Sequence, residues 1–207
     1  MHDDMHTFTT ADFVGGDITL DLINTVTARE GESCDRLTNY DALLRWARTS
    51  QEFSVRELAA LARLAAASPR RASAALTRTR TLREALWAAS HALLRGREPA
   101  AGDLQRIHAA YAAAAAAARL ARHEGRLVRC FSATGCGLDL VAHVVAMRAV
   151  TLLEQVELTR LRACDGPDCG WLFIDSSKSG RRRWCDMATC GNVAKARRFL
   201  QRRSETG

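Results

Sequence analysis

Four cysteines near the C-terminus constrain this 207-residue chain more than any other feature. They fall as two pairs, Cys164 with Cys169 and Cys185 with Cys190, within CDGPDCGWLFIDSSKSGRRRWCDMATC; each pair encloses four residues, and fifteen residues separate the pairs. Thiolates are soft ligands suited to Zn²⁺ in a closed tetrahedral site, and each close pair presents two sulfurs to one ion. A disulfide pair, an iron–sulfur cluster and four unconnected buried cysteines are the other readings; the doubled pair favours structural zinc. Between the pairs, Trp171-Leu172-Phe173-Ile174 is an apolar run of strand type, Ser176 to Gly180 is turn chemistry, and Arg181 to Trp184 leads back, so a hairpin is expected to fold Cys185 onto Cys169. Gly191-Asn192 then opens a run of good helix formers through Leu200. Knuckle, hairpin and ligand-bearing helix make a treble-clef-like zinc module, with Trp184 and Phe199 expected to pack its small core. A module of about forty residues with so few large apolar side chains needs the metal for much of its folding energy.

The same residues carry a resemblance. CDGPDCGWLFID, SGRRRWC and MATCGNVAKARRF resemble the CGNR zinc-finger family, bacterial proteins described as transcriptional regulators, and Gly15 to Val26, GGDITLDLINTV, is similar to the opening motif of the helical ABATE domain that precedes this finger. The resemblance spans nearly the whole chain and implies a sensing or associating domain followed by a DNA-contacting finger. One position departs from it: the signature Cys-Gly-Asn-Arg is here Cys190-Gly191-Asn192-Val193. If the family arginine contacts nucleic acid, Lys195, Arg197 and Arg198 are left to carry the load.

Charge points the same way. Of the net +7, residues 160–207 hold eleven Lys or Arg against five Asp or Glu, while residues 1–159 are balanced to within one charge. Such a basic footprint attracts polyanions, nucleic acid first among them. Lys195, Arg198 and Arg202 fall along one face of the last helix with Arg197 on its flank, and Lys178, Arg181, Arg182 and Arg183 sit on the hairpin arm. With Asn192 at the helix start, they form the candidate nucleic-acid surface: DNA is the expected partner and RNA the alternative. A finger of this size offers few base contacts, which leaves room for a homodimer. A small-molecule sensor or protein adaptor with purely structural zinc is the further alternative.

The remaining chain reads as mainly α. A small β-hairpin is expected over residues 7–28, where Ile18, Leu20 and Leu22 alternate with Asp17, Thr19 and Asp21; Asp21 and Asn24 are candidate pocket residues for an unidentified polar signal. Ser54 with Glu57 forms a capping box, and Ser68-Pro69 opens a helix over 70–95. Helices follow over 104–122, through seven consecutive alanines, and over 138–161, the most apolar and hence central one; a short strand over 126–131 would join the N-terminal hairpin. The expected division is a multihelical domain, 1–161, and a finger, 162–207, mounted directly on the last bundle helix.

No apolar run of membrane-spanning length stands out, and MHDDMHTFTT is acidic and polar where a signal peptide is basic and then apolar, so a cytoplasmic location and no membrane partner are expected. Seven cysteines, an odd number, suit a reduced compartment with metal-bound thiolates, leaving Cys34, Cys130 and Cys136 as small buried hydrophobes. Phosphate loops, dinucleotide fingerprints, His-Glu-x-x-His and nucleophile elbows are missing, and four cysteines close a zinc site against substrate, so the chain is not expected to be an enzyme.

Overall fold

The computed structural model describes residues 6–29 and 31–205, with side chains to Arg203. A short 3₁₀ turn, Thr10–Asp12, precedes α1 (Ile18–Ile23). The two-residue strands β1 (Val26–Thr27) and β2 (Cys34–Asp35) pair antiparallel. Then come α2 (Tyr40–Ser50), α3 (Val55–Ala67), α4 (Pro69–Leu94) and α5 (Ala101–Ala117), the hairpin β3 (Arg119–His123) and β4 (Arg126–Cys130), α6 (Ala133–Cys136) and α7 (Leu140–Gln155). The finger follows as β5 (Leu161–Ala163), β6 (Leu172–Ile174) and α8 (Asn192–Glu205).

Local chemistry explains the helix starts. Ser54 and Glu57 form the expected capping box on α3, Asn39 caps α2 through the Ala42 N–H, and Pro69 occupies the first turn of α4. α7 packs against α1, α4 and α5, and Val141, Val145 and Ala149 on it are fully buried. Across the bundle, Tyr40 donates its hydroxyl to the Leu138 carbonyl at 2.7 Å. Buried Arg83 on α4 grips both oxygens of Asp35 at 2.8 Å, tying the β1–β2 hairpin to the bundle.

Several expectations change. The alternating run at 18–23 is a helix, and all six of its residues are buried, Thr19 and Asp21 included. A short apolar run reads equally as strand or buried helix, and here Asp17 decides, because its carboxylate accepts the Thr19 N–H and starts a helical turn. The β-hairpin of this region lies later, at β1–β2. The helix expected over 104–122 ends at Ala117, and β4 pairs with β3 rather than with an N-terminal strand. The cause is Glu124-Gly125: both have positive φ, 47° and 80°, as a two-residue type I′ hairpin turn requires, and that turn draws Arg119–His123 into a strand.

The helix expected to reach Leu161 ends at Gln155, and a turn over 156–160 separates it from β5. Contrary to expectation, one stretch, Ala133–Gln155, is long and apolar enough by composition to cross a membrane. It is broken at Gly137, which has φ 57°, and its second part is the central bundle helix, on which Leu140, Val141, Ala142, Val145, Ala146, Met147 and Ala149 are buried.

Candidate metal centre and its docking seam

The four cysteines are brought together as their spacing implies. One sulfur from each of Cys164, Cys169, Cys185 and Cys190 lies within 4.8 Å of every other. The Cys169–Cys185 and Cys185–Cys190 sulfur separations are 3.8 and 3.7 Å. A tetrahedral ion with metal–sulfur bonds of about 2.3 Å spaces its sulfurs by about 3.8 Å, so the donor set fits a single tetrahedral metal.

The backbone prepares the site. The Gly166 and Cys185 N–H groups donate to Cys164 Sγ at 3.3 and 3.2 Å. Gly166 is required, since a Cβ there would lie 2.7 Å from Cys190 Sγ. Crowding splits the thiols. Cys164 is pulled far down, first by hydrogen bonds from Cys169 and Cys185 and then by those backbone donors, whereas Cys169 and Cys185 are pushed up, first by their hydrogen bonds with Cys164. Burial pushes Cys190 up. A metal ion binds cysteines as thiolates, so its binding here would release protons.

The hairpin that positions the first pair differs from the expected one. β6 pairs with β5, Leu161 opposite Ile174 and Ala163 opposite Leu172, and the chain returns to Cys185 as a loop. Buried Asp175 anchors that loop, accepting the Ser177 and Arg182 N–H groups at 2.9 and 2.8 Å. Arg160 donates to the Ser177 carbonyl and Arg162 to the Gly180 carbonyl, both at 2.9 Å. At the second pair, Asp186 caps a π-helical turn, Met187–Gly191, that carries Cys190 into α8.

Two family models match the chain: the CGNR zinc finger over residues 160–203, and ABATE, described as "Putative stress-induced transcription regulator", over residues 16–156. The chain belongs to the ABATE family. No curated protein matches it. Mainly α architecture with a C-terminal four-cysteine finger is thus both the family's order and the fold observed.

The ABATE opening motif has a use that its residues alone did not reveal. Asn24 donates from Nδ2 to the Leu172 carbonyl and accepts the Leu172 N–H at Oδ1, both at 2.9 Å, so its amide is a backbone clamp on the finger's strand β6. Asp21 Oδ1 accepts the Gly15 N–H at 2.8 Å, and the Gly15 carbonyl accepts the Ile174 N–H at 2.8 Å. The pocket reading of Asp21 and Asn24 therefore gives way to a docking seam. Burial pushes the Asp21 carboxyl up to about 7, against the Gly15 hydrogen bond and with help from Asp17. Gly15 has no room for a side chain: a Cβ would lie 2.7 Å from Leu20 Cβ. Trp171 Nε1 donates to the Val26 carbonyl at 3.2 Å, and Leu161 and Leu172 of the CGNR finger sit in the bundle's own core.

The basic residues divide. Arg182 serves the finger itself, donating to the Trp184 carbonyl at 2.9 Å and to the Cys185 carbonyl while its guanidinium covers the Phe173 ring. Arg183 pairs with Asp165 at 2.7 Å and lies over Trp184. Arg198 donates to the Ala194 carbonyl and also lies near the Trp184 ring, and Asn192 is held to the Ala188 carbonyl. Lys178, Arg181, Lys195, Arg197 and Arg202 are exposed. Phe199, expected in the finger core, is 61% exposed on α8. The buried finger core is instead Cys164, Phe173 and Cys185, flanked by Trp171 and Trp184. A second basic element went unnoticed in the sequence: exposed Arg119, Arg122, Arg126 and Arg129 on the β3–β4 arm, which a local rather than regional charge balance would have found.

Proposed function

We propose that the chain is a zinc-loaded, DNA-binding transcription regulator acting in the cytoplasm without an enzymatic step of its own. The observation that carries this reading is the mounting of α8 directly on the metal-ligating turn, with Lys195, Arg197 and Arg202 exposed on it and Lys178 and Arg181 exposed on the neighbouring loop. Zinc is favoured over a cluster because four sulfurs within 4.8 Å enclose one ion and leave no space for several irons and sulfides. It is favoured over disulfides because sulfur separations of 3.7 and 3.8 Å far exceed the S–S bond of about 2 Å.

Arginine and lysine on an exposed helix pair with phosphates and, for arginine, with a guanine edge. Phosphate contacts alone give salt-dependent binding of low specificity. Val193, at the position of the family arginine, is 47% exposed on the first turn of α8 and adds an apolar contact surface where the signature would add charge. The ABATE domain, clamped to β6 through Asn24, receives the signal that the finger transmits.

Fluorescence anisotropy of the zinc-loaded protein, with duplex DNA from its own upstream region and with a scrambled duplex over a salt series, tests the reading. Tighter binding to its own region after the salt-dependent part is removed supports it. Arg181→Ala and Arg197→Ala are expected to lower affinity and reduce the salt slope by about one each, without loss of zinc. Equal binding that vanishes with salt leaves only a basic surface, and preference for single-stranded RNA would recast exposed Phe199 as a stacking platform.

A further inference from the structure

The side of α7 that the other helices leave uncovered floors a groove under the β3–β4 arm, a cavity of about 670 Å³. That volume lies within the range of small-molecule sites. The arm contributes Leu120 and Leu127, which share one of its faces because Leu120 pairs with Arg129 and Leu127 with Arg122. Both leucines are largely exposed, at 70% and 73%, and Phe131, Val144 and Met147 line the opposite side. A two-stranded hairpin is marginal alone and has no reason to carry two exposed leucines over an apolar floor unless something occupies the space between.

The charges around the groove indicate what that occupant is. Its charged lining residues are Arg129 and Arg148, with no carboxylate among them. An apolar trough with two guanidinium groups at its rim complements an anionic head on a hydrocarbon or aromatic body, and a guanidinium fork is the natural partner of a carboxylate. We propose that this groove binds a small amphipathic organic anion, with its carboxylate on Arg129 and Arg148 and its body between Leu120 and Leu127 on one side and Val144 and Met147 on the other.

Occupancy has a route to the finger. Arg148 Nη2 donates to Asp17 Oδ2 at 3.0 Å, and Asp17 caps α1 through the Thr19 N–H. α1 leads directly to Asn24, the clamp on β6. A carboxylate on Arg148 competes with Asp17 for the same guanidinium, so binding in the groove alters the support of the helix that holds the finger. This coupling rests on the proposed DNA-binding role, whereas the binding itself does not.

Isothermal titration of the full-length, zinc-loaded protein with decanoate, 2-naphthoate, 1-decanol and decylammonium tests the binding. At least one of the two carboxylates is expected to bind, and about tenfold or more tighter than the alcohol. The Arg129→Gln, Arg148→Gln double variant should lose that preference. Val144→Trp, which fills the groove, and Leu127→Asp, at a side chain 73% exposed on the arm, should each lose binding, with circular dichroism spectra read alongside to show that each variant keeps its fold. Failure of both carboxylates, equal affinity for decanol, or undiminished binding in both groove variants overturns the proposal. Anisotropy with duplex DNA, with and without the bound carboxylate, then reads the coupling separately: a groove that binds without shifting DNA affinity removes the regulatory role and leaves the site.

Discussion

The helical domain and the finger are held together by different physics. The helical domain buries Leu20, Leu22, Ile23, Leu43, Leu61, Leu86 and Leu140 almost completely, and an internal ion pair, Arg83 with Asp35, ties its hairpin to α4. The finger buries Phe173 and two of its own cysteines, then depends on the other sulfurs and on loop hydrogen bonds to Asp175, Arg160 and Arg162. One region owes its shape to apolar area and the other to a metal-ready quartet. Yet they share a seam: Leu161 and Leu172 fall within the CGNR match but pack into the bundle's core, and Asn24 closes the gap between them. The metal ligands therefore lie outside the paired strands, Cys164 and Cys169 in the connection between β5 and β6 and Cys185 and Cys190 beyond β6, while β5 and β6 themselves pack on the bundle.

Breaking the finger side should have the largest effect. Cys185→Ser, or chelation of the metal, is expected to abolish zinc binding and collapse both the connection between β5 and β6 and the residues beyond β6, with apparent metal-binding free energies of about 10–16 kcal/mol at stake. Most of the helical signal in circular dichroism should survive; its complete loss would show that the two regions fold as one unit. Full zinc content in Cys185→Ser would falsify the four-cysteine site.

Breaking the seam comes next. Asn24→Ala removes both partners of the Leu172 amide and carbonyl, each a buried polar group costing about 1–3 kcal/mol when unsatisfied. A destabilisation of about 2–5 kcal/mol is expected in denaturant melts, with faster amide exchange at Leu172 and Ile174. Near-neutral behaviour would mean that the finger docks by apolar contact alone.

Asp21 sharpens the comparison through pH. Its folded carboxyl titrates at about 7 against an ordinary 3.8, so the fold prefers the neutral acid. That stabilisation is complete below pH about 4 and is lost as pH rises through about 7, up to roughly 4 kcal/mol for a shift of this size. Asp21→Asn should flatten this part of the stability curve between pH 4 and 8 relative to the parent; parallel curves would show that the carboxyl is ionised throughout.

The smallest effect belongs wholly to the bundle. Ser54→Ala removes the hydroxyl that accepts the Glu57 N–H at 3.2 Å and should cost about 1 kcal/mol of helical-domain stability, with zinc content and finger exchange unchanged.

What was legible in the sequence was local or chemically rare. The cysteine spacing marked the metal site because few other arrangements use two such pairs, and the capping box, the first-turn proline and the apolar central helix announced themselves through short-range rules. Less was legible where two local readings competed. Residues 18–23 alternate like a strand, but a helix buried on every side accepts polar residues when they find partners, as Asp21 finds Gly15. The alanine run could not mark its own end, and the Glu124-Gly125 turn set it from the other side.

By itself, then, the sequence determined which atoms bind a metal, where most bundle helices begin, and that basic charge collects in the last fifty residues or so. Only the tertiary structure decided how those charges are used, because Arg182 lies over the Phe173 ring and Arg183, although 61% exposed, pairs with Asp165. It alone turned Asn24 from a pocket candidate into a clamp across 148 positions of chain. Ligand spacing is written in consecutive residues, whereas a backbone's hydrogen-bond partner depends on which distant strand arrives beside it, and no local pattern records that.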